Sequence, residues 1–123
     1  MEPLDLSADK DVPPEIREAF LCLKVHNRPD IATQKAEWIL KSRTTANTKA
    51  QALVIIGEAQ MEDPEEPFNW RSASVHFWNA LLLNPDPKTR ALAQAMLGHC
   101  RKKMEENEKP ESEFEEALWA ENL

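Results

Sequence analysis

The sequence predicts an all-α protein: about six helices in antiparallel hairpins. Three observations carry this. The chain has two glycines and no tyrosine, and it is rich in Ala, Leu, Glu and Lys, a composition that favours helix over strand. Apolar residues recur at helical spacing along most of its length. Prolines and Asn/Asp residues fall between those periodic stretches, where helices stop and restart.

The first twelve residues are polar and acidic and read as a flexible arm, with one helical domain from 13 to 123. Pro13 and Pro14 suit a helix start, because the first turn does not use the N–H that proline lacks. The first helix is expected over Pro14 to Asn27, with Ile16, Phe20 and Leu23 on one face. Arg28-Pro29-Asp30 breaks it, Asp30 placed as an N-cap. The second helix is expected over Ile31 to Ser42, with Ala32, Ala36, Ile39 and Leu40 inward. The third, about Thr48 to Met61, is apolar nearly all round from Ala50 to Ile56, so it needs neighbours on several sides. Residues 62–67 are a loop of two prolines and four carboxylates. Phe68 is placed as a hydrophobic staple and Asn69 as a cap for the fourth helix, Trp70 to Leu83. Asp86 and Pro87 start the fifth, running to about Glu106. Ser112 and Glu115 fit a capping box for a short sixth helix with Phe114, Leu118 and Trp119. That last stripe is expected to cap the array, against the fifth helix and its basic edge at Arg101, Lys102 and Lys103.

A length of 123 residues, 41% hydrophobic and 30% charged, allows one domain with its own core. No window approaches the eighteen consecutive apolar residues of a membrane span. Met1 to Lys10 has no apolar run and little arginine, unlike a secretory signal or transit peptide, so a cytoplasmic location is expected. Cys22 and Cys100 are expected as buried thiols in a reducing compartment. The net charge is −7, with −4 in residues 1–20, +4 in 21–103 and −7 in 104–123. Nucleic-acid binders show the opposite pattern, a basic stripe or tail. The acidic ends suit a basic partner, or the basic middle of the chain itself.

The stretch 50–87 resembles a tetratricopeptide repeat. Leu53, Ile56 and Gly57 stand where the family places a large residue, a leucine and a glycine. Ala73, Phe77, Ala80 and Pro85 supply its small, aromatic, small and proline positions. Gln60 replaces the usual aromatic, and the loop between the helices is about four residues longer than the family's. The flanks match less well: Lys24 stands in place of the glycine at one end, and at the other Leu97-Gly98 match while Gln94 replaces the large residue. The resemblance implies a right-handed array of the hairpins, with a groove lined by first-helix residues: Leu21, Cys22 and Val25; Gln51, Val54, Ile55 and Glu58; Leu92, Ala95, Met96, His99 and Lys102. Val54 and Glu58 argue against the carboxylate clamp of the family's chaperone-binding members. A mostly apolar groove with a basic edge suits an apolar or amphipathic helix with an acidic end. The same apolar residues could instead be core contacts of a compact bundle.

Little points to catalysis. Cys22 and His26 share a helix face, but His99 and Cys100 are adjacent and diverge by about 100°, so a four-ligand metal site is not expected. His76 has no Ser–acid partner pattern, and two glycines make no phosphate loop. The carboxylates at 62–66 and 105–116 read as solvated loops or faces. No cofactor is expected. Trp38, Trp70, Trp78 and Trp119 are packing residues or, where exposed, binding anchors. The expected role is a non-catalytic interaction adaptor or assembly chaperone. The alternative is an acidic inhibitor or nucleic-acid mimic that occupies a basic site.

Overall fold

The computed structural model describes residues 5–7, 9–62 and 69–122, and side chains as far as residue 106. Among them five α-helices form and no strand: α1 (Pro14–Lys24), α2 (Pro29–Lys41), α3 (Ala46–Met61), α4 (Asn69–Leu82) and α5 (Pro87–Asn122).

The helix ends follow local chemistry. α1 opens on its proline and stops at Lys24, three residues short of expectation. Asn27 then takes φ 52°, a left-handed conformation that asparagine tolerates, and the Arg28 N–H turns back onto the Cys22 carbonyl at 2.9 Å. α2 starts on Pro29, so Asp30 lies in its first turn and is not the cap. α3 begins two residues earlier than expected because Thr45 caps it, accepting from the Thr48 N–H at 3.1 Å. Asn84 ends α4 at φ 53°, and Pro85 bars continuation. Asp86 caps α5 as expected, accepting from the Thr89 N–H at 2.8 Å. The Asn47 side chain clasps Asp86 from α3 at 2.9 and 3.0 Å.

The expected sixth helix is not separate. α5 runs unbroken to Asn122, through Pro110. Its surroundings are Glu, Lys, Met and Ala, strong helix formers with no glycine beyond Gly98, and one proline can sit within such a run. The staple residue Phe68 and the caps proposed for Phe114, Leu118 and Trp119 lie outside the described side chains.

Each helix packs on its neighbour in sequence, and α3 also touches α1 and α5. The odd helices therefore form one layer, with α2 and α4 behind it. α3 is the centre, and its residues from Ala50 to Ala59, except Leu53, are buried. Gly57 shows why the third and fourth helices pair closely. A Cβ there would meet Phe77 Cε1 at 2.6 Å, and Phe77 is fully buried with Ala73 and Ala80 on the same face of α4.

The N-terminal segment is not a loose arm over its described residues. Leu6 and Val12 are 2% and 3% exposed and belong to the core. Asp9 pairs with Lys88 at the start of α5 at 3.2 Å, and its carbonyl accepts from Arg17 at 3.1 Å. Leu6 and Val12 are the apolar residues among the segment's described positions, and two such residues suffice to dock it. The segment thus straps α1 to α5 across the end where the odd helices begin.

Candidate functional site on the odd-helix layer

The strap closes one end of the α1–α3–α5 layer, and a hollow opens toward the other. It holds about 290 Å³ and is lined by Lys24, Glu58, Met61, Glu62, Trp70, Met96, His99 and Lys103. Glu58 on α3 and Glu62, its C-cap with a helical backbone, are four apart, so both carboxylates point the same way. Lys24 reaches them from the end of α1, with Nζ 2.5 Å from Glu62 Oε1 and 3.3 Å from Glu58 Oε2. Trp70, Met61 and Met96 form the apolar wall. His99 and Lys103 stand on the α5 rim.

Glu58 is the unusual group, only 5% exposed. Its Oε2 lies near Lys24 but outside hydrogen-bonding geometry. Burial pushes its carboxyl above the usual carboxylate range, against the attraction of Lys24. Burial works to lower Lys24, but its hydrogen bond to Glu62 and the charges of Glu58 and Glu62 outweigh it and hold the ammonium firmly protonated. A carboxyl whose folded pKa exceeds its unfolded value binds its proton more tightly when folded, so acidification through that range favours folding. Denaturant titrations should therefore show wild type gaining stability over Glu58→Gln as the pH falls from neutrality into the ordinary carboxylate range. A gap that stays constant, or shrinks, would mean that Glu58 is not desolvated.

The residues expected to line a groove are not gathered on one open surface. Gln51, Val54, Ile55 and Glu58 are all buried. Val54 and Ile55 are core, because α3 is covered by neighbours on every side, and Gln51 donates to Thr89 of α5 at 3.3 Å. Leu21 and Cys22 are half-buried and Val25 is exposed, and none of the three lines the hollow. Leu92 and Met96 pack against the core from its edge, and His99 and Lys102 are exposed. Of the expected set, the hollow brings together Glu58, Met96 and His99. Lys24, Met61, Glu62 and Trp70 were not foreseen there. The signal for Glu62 was its spacing from Glu58. The signal for Lys24 was its place where the repeat pattern has a glycine.

Both cysteines are free thiols. Cys100 Sγ lies 3.4 Å from Met61 Sδ, and burial pushes its thiol up to about 11, which leaves it unreactive. Among the described residues no group of three or more His, Cys, Asp or Glu side chains is placed to share a metal ion, and no helix is long and apolar enough to cross a membrane. The fold is thus an all-α array with a small charged hollow on one layer. No family model, curated protein or solved structure matches the chain.

Proposed function

We propose that the chain is a tetratricopeptide-like, right-handed array acting as a non-catalytic adaptor or assembly chaperone, which takes a helical segment of another protein at the hollow between α1, α3 and α5. The observation that carries this reading is the hollow's make-up. An apolar wall of Met61, Trp70 and Met96 stands beside a buried carboxylate, and His99, Lys102 and Lys103 give the α5 rim a basic character. Its volume lies at the lower limit of small-molecule sites and suits an anchoring side chain. An amphipathic helix would seat one apolar residue on the wall and place its acidic end at the rim. The packing of Gly57 on Phe77 supports the family resemblance, and the two free thiols fit a reducing compartment such as the cytoplasm.

The test is site-specific cross-linking. A photo-reactive residue at position 99, compared with one at the exposed position 43 in the connection between α2 and α3, should capture a partner peptide only from position 99. That capture should persist at moderate salt, since apolar anchoring is not screened. Equal labelling from both positions would discard the site. Release on adding salt would favour instead the acidic mimic acting through the charged ends.

A further inference from the structure

A second surface, independent of the hollow, lies between α4 and α5. Val75, Trp78 and Leu82 are 56%, 52% and 68% exposed. Their spacing of three and four residues puts them on one stripe of α4. Val75 and Trp78, with Ser74, face Leu97, Arg101 and Met104 of α5 across a cleft of about 260 Å³. Arg90 precedes Leu97 by seven residues and so shares that stripe, and among the described residues no carboxylate lines the cleft. A contiguous apolar strip with arginines along one side marks a seat for an acidic amphipathic helix.

The described lining of the cleft comes from α4 and α5 alone. α2 turns back against α1, and α4 turns back against α3. α5 does not turn back. It continues for eighteen residues past Met104, the last residue of the cleft, to Asn122. That extension is about 27 Å long, and while it remains helical it leads away from its own cleft. Its sequence has the chemistry the seat asks for. Residues 104–123 carry a net charge of −7, with Phe114, Leu118 and Trp119 at helical spacing.

We propose that the cleft between α4 and α5 takes the acidic C-terminal stretch of α5 from a second copy of the chain, in a reciprocal two-fold dimer. The exchange lays a helix over the α4–α5 cleft of each copy. Such exchange of an identical element is a low-cost route to a dimer.

The test is the oligomeric state of the full chain. Analytical ultracentrifugation should show a concentration-dependent dimer of the 14.1 kDa chain. Two variants should each weaken it about tenfold or more. One is Trp78→Ala with Arg101→Glu in the cleft, and the other is Phe114→Ser with Leu118→Ser in the extension. Circular dichroism melting confirms that each still folds. Mixing the two variants is the decisive measurement. One carries an intact extension and the other an intact cleft, so the mixture should form a heterodimer that neither variant forms alone. A wild-type chain that stays monomeric at every concentration, because its C-terminal stretch folds back on itself, would overturn the proposal. So would a dimer indifferent to the cleft substitutions, or a mixture that recovers nothing.

Discussion

Gly57→Leu is expected to cost about 3 kcal/mol or more of stability. The first added atom alone would stand 2.6 Å from Phe77 Cε1, and that ring is fully enclosed with no room to withdraw. Phe77→Ala should cost about 3–5 kcal/mol for the opposite reason, the cavity left between α3 and α4. The two positions face each other, so the double variant should be less destabilised than the sum of the singles by about 1 kcal/mol or more. The leucine then occupies space that the ring has vacated. Urea denaturation of the four proteins measures this coupling. Strict additivity would show that Gly57 is not small for the sake of Phe77.

This pair also shows what was legible in the sequence. Glycine on one helix and an aromatic on the next is a signal of close approach, and both residues sit where the resemblance puts them. Helix starts were readable where a side chain makes the cap, as at Asp86. They were misplaced where the cap was a residue not considered: Thr45 set α3 two residues earlier. The continuity of α5 was not readable, because Pro110 and the Ser112–Glu115 pair are the same letters whether or not a helix breaks there.

The candidate site was harder. Apolar residues on a central helix look alike whether they wall a groove or fill a core, and only the positions of α1, α2, α4 and α5 around α3 distinguish the two. Val54 and Ile55 proved to be core on that ground. Glu58 followed the opposite course, polar in sequence but sunk into the hollow, with Lys24 of a different helix compensating its charge. The four-residue spacing of Glu58 and Glu62 is local, but nothing local says that Lys24, far back in the chain, is the cation that meets them.

The strap carries the second large effect. Leu6→Ala is expected to cost about 2–4 kcal/mol, the range for truncating a buried leucine in a cavity that cannot fully collapse. A sequence reader would assign that substitution almost no cost, since it lies in an acidic stretch ahead of the first helix. The polar contacts of the strap should matter far less. Lys88 is half-exposed where it meets Asp9, and ion pairs in that setting contribute little. Lys88→Ala should therefore leave the unfolding midpoint nearly unchanged, while Leu6→Ala shifts it clearly. The contrast separates docking by an apolar anchor from docking by charge. Raising the salt adds a further check, because it screens the Asp9–Lys88 pair but not the burial of Leu6. If Leu6→Ala melts with wild type, the segment contributes nothing to the fold and the odd-helix layer is open at both ends. If instead only the Leu6 variant is destabilised, at low and high salt alike, the strap is part of the core and closes that end of the odd-helix layer.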